Sequence, residues 1–237
     1  MLALLKRNFL LYARNRSGVF FSLLGALISF LLYIIFLQKN LTDVWSQLPN
    51  STSLLNGWLM GGTLAVTGIT TSFAALTQMV QDRENQVDQD LFLTDLGRWG
   101  LELSYLISSF VISFVMQVFM FIIMSLYFQE IPVMSHLLEI SLLMLLSSLL
   151  STLVNALLIY HFQSVDSLGK VATIIGTASG FLVGTYVPMG ILPNFAQLLM
   201  KCTPATYLAS LYRQVLMKEQ LETTFMGNSS LLEEFQE

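Results

Sequence analysis

The sequence predicts an all-α fold, a polytopic bundle of membrane helices, and three observations carry that prediction. The 237-residue chain is 54% apolar and only 11% charged, against roughly a quarter charged in a soluble protein. Its mean hydropathy is +0.68, too high for a core that must be wrapped in polar surface. Five windows run with no charge but Glu139 near the start of the fourth, at 18–37, 57–80, 103–128, 137–160 and 171–187. Each comes close to the roughly 20 residues that cross about 30 Å of hydrocarbon. The same composition excludes other classes. The net charge is -4 and the 11 Lys and Arg are scattered, so nucleic acid has no basic footprint to bind. Cys202 is the only cysteine, and His136 and His161 are the only histidines. That rules out an internal disulfide and leaves little for a zinc site.

The elements follow in order as one transmembrane domain, 1–237. Residues 1–16 put Leu2, Leu5, Phe9 and Tyr12 on one helical face with Arg7 and Arg14 roughly opposite, which predicts an interfacial helix. A plain positive-inside retention signal is the other reading. The first span is too long for a secretory h-region and no small-residue cleavage site follows it, so it reads as a retained anchor. Lys6, Arg7, Arg14 and Arg16 ahead of it predict a cytoplasmic N-terminus, because basic residues resist translocation. The fifth window is short and rich in Gly and Thr. Beyond it lies an outer tail, 188–237, in which Pro188, Pro193 and Pro204 break helices. Ile191 to Leu199 is apolar but too short to cross, so partial embedding is expected. Residues 206–217 read as an amphipathic helix with Leu208, Leu211, Tyr212 and Val215 on its apolar face and Arg213 turned partly away.

The inner loop 81–100, QDRENQVDQDLFLTDLGRWG, is the most charged stretch of the chain. Asp82, Glu84, Asp88, Asp90 and Asp95 face only Arg83 and Arg98 there. The spacing lacks the Gly and Glu of a calcium loop. A solvated face is one reading of such a run. Leu91, Phe92 and Leu93 argue for a docking element, because adjacent large apolar residues in a charged loop usually meet a partner or a membrane surface.

Within the spans, Gly57 and Gly61 and then Gly176, Gly180 and Gly184 form small-residue ridges that read as helix-packing surfaces. Thr63, Thr67, Thr70, Thr71, Ser72, Gln78, Gln117 and Asn155 are polar but uncharged, suited to hydrogen bonds between helices. The windows hold no charge near mid-membrane, which weighs against ion-coupled transport. Neither H-E-x-x-H nor G-x-S-x-G occurs, and Gly169-Lys170 is followed by Val171 rather than completing a phosphate-binding loop. Catalysis by this chain is therefore not expected, and no metal or cofactor is assigned to it.

Two stretches resemble the membrane subunits of ABC exporters of the type-2 permease family. DRENQVDQDLFLTDLGRWGLELSYLISSF looks like that family's charged inner segment leading into a third span. GTASGFLVGTYVPMGILPNFAQLLMKCTPATYLASLYRQVL follows its order of a Gly-rich span, Tyr186 and Pro188 at the exit, Leu192-Pro193, Pro204, and an amphipathic helix with Arg213. The resemblance implies six spans, of which the sixth is expected beyond this sequence. It also implies that the inner loop docks a separate ABC ATPase, which binds ATP and magnesium. Tyr186, Pro188, Pro193, Leu211 and Arg213 then belong to an outer cap. A second permease copy, identical or related, is the implied partner in the bilayer. The expected activity is outward movement of a hydrophobic or amphipathic molecule across the cytoplasmic membrane of a bacterium. A non-transporting assembly or sensor subunit and a secondary transporter are the competing functions.

Overall fold

The computed structural model describes residues 1–37, 51–93, 97–129, 134–186, 189–218 and 221, and every regular element among them is a helix. Helix α1 (Leu2–Arg14) ends at Asn15, whose side chain accepts a hydrogen bond from Gly18 N at 2.9 Å and so caps α2 (Arg16–Leu32). One residue thus separates the basic amphipathic segment from the first apolar one. A π-helical turn, Tyr33–Leu37, extends α2. Then come α3 (Ser51–Glu84), the short α4 (Val87–Phe92), α5 (Gly97–Phe128), α6 (Met134–Ile159) and α7 (Val165–Leu182). A 3-10 turn at Met189–Ile191 leads to α8 (Asn194–Lys201) and α9 (Pro204–Leu216).

Among the described residues, four segments are long and apolar enough to cross a membrane: Arg16–Ile35, Thr52–Glu84, Gly97–Phe128 and His136–Ile159. The fifth window is helical too, but α7 starts earlier than expected, takes Asp166 and Lys170 into its first turns, and stops at Leu182. Gly184 is the reason it stops. With φ +68° it adopts the left-handed conformation that glycine tolerates best. Gly184 N donates to Phe181 O at 3.0 Å and Thr185 N to Gly180 O at 2.9 Å, the paired bonds of a Schellman terminus. The apolar part of α7, from Val171 to Leu182, therefore covers only about 18 Å at 1.5 Å per residue.

Beyond that stop the chain turns back into the bundle. Thr203 and Pro204, at the start of α9, line a cavity with Ile69, close to the middle of α3. Leu216 and Met217, at the end of α9, lie against Gly57 near the start of α3. Helix α9 thus climbs along α3 for about 18 Å, the rise from Gly57 to Ile69.

Helix α3 is the axis of the molecule. Of its membrane-length window 83% is buried, against 33% to 39% for the other three. Its polar residues are consequently inside. Thr67, Thr71 and Ser72 donate back to the carbonyls of Thr63, Thr67 and Gly68 at 2.6 to 2.8 Å, and its neighbours bond to the same backbone. Ser113 of α5 donates to Gly68 O at 3.0 Å, Ser109 to Ser72 O at 3.0 Å, and Asn155 of α6 to Ile69 O at 2.8 Å. Small hydroxyl residues let the three helices approach closely while supplying donors to the α3 backbone.

Candidate functional site

At the end of the bundle that carries α1 and α4, three consecutive residues of α3 each hold a different element. Asp82 is 3% exposed. Its carboxylate accepts from Arg7 Nη1 and Nη2 at 2.7 and 2.8 Å, from Tyr105 Oη at 2.5 Å and from Gln78 Nε2 at 2.8 Å. A carboxylate this buried needs paired and hydrogen-bonded neighbours, and it has four such contacts. The Asp82 carboxylate in turn holds the Arg7 guanidinium above its ordinary pKa. Arg83 Nη1 donates to Tyr160 O at 3.1 Å and Phe162 O at 2.9 Å, placing a cation on the carbonyls that follow α6. Glu84 Oε2 accepts from Val165 N at 2.9 Å, placing an anion at the first residue of α7.

The sequence reading set Asp82, Arg83 and Glu84 on a docking surface. Asp82 is buried, while Arg83 is half-buried and Glu84 exposed, and each bonds to another part of the bundle. In α1, Arg7 faces the protein. Successive residues turn by about 100° on a helix, so Phe9, two positions on, points the other way. Leu4 and Asn8 are buried instead, while Leu2 and Phe9 are exposed.

Past Glu84 the chain reverses at Gln86, whose φ is +59°, and forms α4. The predicted apolar trio divides there. Leu91 packs into the core shared by Leu76, Val80, Leu101 and Tyr105. Phe92 is 37% and Leu93 87% exposed, beside the exposed Asp90 and the half-buried Asp88. Asp95 lies outside the described residues. Trp99 is 80% exposed in the first turn of α5. Sequence reasoning passed over it, although a tryptophan just after a charged loop and Gly97 was the available signal.

At the opposite end, α9 meets the bundle through Arg213 and Tyr212. Arg213 Nε donates to Trp58 O at 3.2 Å and Nη2 to Gly184 O at 3.0 Å, with the guanidinium 4.5 Å from the Trp58 ring centre. Among the described residues no carboxylate pairs with it. Tyr212 is fully buried and donates to Gln117 Oε1 at 2.7 Å. Because Arg213 faces inward, Leu211 is turned to the surface, 38% exposed rather than part of the buried stripe. Pro193 sits at the N-cap of α8, and Pro188 lies outside the described residues. The Tyr186 ring folds over Gly180, and Tyr186 Oη accepts from Ser29 Oγ at 3.2 Å.

The glycines separate into different roles. A Cβ on Gly57 would come within 3.0 Å of Met217 Cγ, and one on Gly61 within 2.9 Å of Arg213 Cγ, so both lie where α9 crosses α3. Gly176 faces open space, and the close approach at that level belongs to Gly25 of α2, where a Cβ would stand 3.1 Å from Gly176 O. Gly184 ends a helix rather than packing one. Between α2 and α7 runs a groove of about 730 Å³, lined by uncharged side chains including Phe21, Ile28, Thr177 and Phe181.

A family model described as ABC-2 type transporter matches residues 1–217. The chain belongs to the ABC-2 type transporter family. Comparison with curated proteins and with solved structures returns no significant match. As an ABC-2 permease it is a multi-pass membrane protein, and membership implies an ABC ATPase partner. The match runs from α1 through α9, so both ends of the bundle described above fall within the permease domain.

Proposed function

We propose that this chain is the permease subunit of an ATP-driven ABC exporter, moving a hydrophobic or amphipathic molecule outward across the cytoplasmic membrane of a bacterium. Helix α4 docks the ATPase through Asp88, Asp90, Phe92 and Leu93, and ATP and magnesium are bound by that partner. The observation that carries this reading is the exposure of Phe92 and Leu93 on a short helix whose root is tied to four other helices. An apolar surface on a firm base suits a contact that must transmit force. The basic residues of 1–16 favour a cytoplasmic position for this end. Two copies facing each other across α2 and α7 would bring together two uncharged grooves, a wall suited to cargo of low charge.

Co-expression with the cognate ABC ATPase and purification through this chain tests the docking role. Each apolar anchor contributes about 1.5–3 kcal/mol when buried, so replacing both Phe92 and Leu93 with Ser is expected to lower ATPase recovery about a hundredfold. Undiminished recovery with that variant sinks the assignment of α4. If the unaltered chain recovers no ATPase at all, a non-transporting subunit becomes the better reading.

A further inference from the structure

We infer that Asp82, Arg83 and Glu84 form a coupling hub that distributes movement of α4 to the rest of the bundle, and that Glu84 is the residue that moves α7. The inference rests on the reading of α4 as the ATPase-docking helix.

The geometry is a branching of one helix into several neighbours within a single turn. Residues at i, i+1 and i+2 of a helix point about 100° apart, so three consecutive charged side chains at the end of α3 reach in three directions. Asp82 reaches Arg7 of α1 and Tyr105 of α5. Arg83 reaches the carbonyls after α6. Glu84 reaches the first backbone N–H of α7. Only Asn85 and Gln86 separate this triplet from α4, and the positive φ of Gln86 holds the reversal between them. A displacement of α4 therefore reaches this triplet through only two residues, beside the packing of Leu91 on the core.

Helix α7 is built to pass that displacement on. Ser164 makes no side-chain cap at its start, so the hydrogen bond from Val165 N to Glu84 takes the place of a local cap. Further along, the backbone of α7 touches α2 where Gly25 faces Gly176 O. Past Leu182 the Schellman turn joins α7 to Thr185 and Tyr186, and Gly184 O is held by Arg213. Helix α7 is thus gripped at its start by Glu84, supported near its middle by α2, and tied at its far end to α9. Tilting its start about the Gly25 contact changes the groove between α2 and α7, in which Thr177 is exposed.

The test uses the full chain in complex with its ATPase, in a Cys202→Ser background carrying Thr177→Cys. The rate of labelling by a maleimide is compared without nucleotide and with a non-hydrolysable ATP analogue. The unaltered hub is expected to give a nucleotide-dependent change in rate. Glu84→Ala is expected to abolish most of that change, by about tenfold or more for loss of a charge-assisted hydrogen bond, while ATPase recovery stays normal. Glu84→Gln keeps an acceptor for Val165 N and should preserve the response. A full response in Glu84→Ala with bound ATPase overturns the hub, as does the absence of any nucleotide response at Thr177→Cys with Glu84 intact. Failure to recover the ATPase with any variant, the unaltered chain included, instead overturns the docking reading beneath it.

Discussion

Arg7 and Asp82, 75 positions apart, meet in a two-point ion pair at 2.7 and 2.8 Å. The pair ties the N-terminal helix to the far end of α3. Asp82 is the buried member, while the Arg7 side chain is 29% exposed. Arg7→Ala leaves a carboxylate buried without its cation and should destabilise the protein by about 3 kcal/mol. Exchanging the charges, Arg7→Asp with Asp82→Arg, should restore less than half of that, because Tyr105 and Gln78 donate to a carboxylate and have none to meet after the exchange. Thermal unfolding in detergent checks both, and full recovery by the exchanged pair would falsify the shared-acceptor account.

Gly184 and Gly176 make opposite predictions under the same substitution. Gly184→Ala forces a side chain into the left-handed region at a cost of about 1–2 kcal/mol, and loosens the turn whose carbonyl receives Arg213. Gly176→Ala adds a Cβ into open space and should leave stability unchanged or raise it by up to about 1 kcal/mol. Melting temperatures that fall equally for the two variants would contradict this division of roles.

Leu91 and Leu93 should separate folding from docking. Leu91→Ser removes an apolar side chain packed against the core and is expected to lower stability by about 1–3 kcal/mol. Leu93→Ser, at an 87% exposed position, should leave the melting temperature within about 1 °C while weakening ATPase recovery. A stability loss in Leu93→Ser would show that this side chain packs against the bundle.

Tyr212 gives a measure of how α9 is anchored. Tyr212→Phe keeps the ring but removes the donor to Gln117 Oε1, leaving a buried amide oxygen at a cost of about 1–3 kcal/mol. Arg213→Lys should cost a similar amount, because an ammonium lacks the fork that reaches Trp58 O and Gly184 O together. If both variants melt like the parent, α9 is held by its apolar contacts alone.

The class of the fold was legible because hydropathy reports directly on lipid, and the windows containing Val66, Val118 and Leu150 all proved helical. The phase of the two amphipathic helices was not. Arg213 read as turned partly away from its helix's apolar face, and Arg7 as opposite the apolar face of an interfacial helix, since charge ordinarily seeks water. Arg7 and Arg213 turn inward because their partners, Asp82 in one case and the carbonyls of Trp58 and Gly184 in the other, lie on segments distant in sequence. No local pattern encodes such a partner. Gly184 misled for a related reason: the three-residue spacing after Gly180 fits a packing ridge and a helix terminus equally, and only its positive φ separates them. The inner loop 81–100 read as one docking element, whereas α3 extends through Glu84 and takes Asp82, Arg83 and Glu84 into its last turn.

The enclosure of α3 carries a biosynthetic consequence. A helix that touches protein on all sides has no need to be greasy, and its mean hydropathy is 1.4 where the other three crossing segments have 2.2 to 2.4. Partition from the translocon into lipid depends on that greasiness. As a nascent chain, α3 therefore has the weakest claim of the four to enter the bilayer unaided, although it becomes the centre of the finished molecule. The side chains that bond to its carbonyls from outside, Ser109, Ser113 and Asn155, arrive only once α5 and α6 have been made. The central helix is thus the one whose insertion waits on sequence still inside the ribosome.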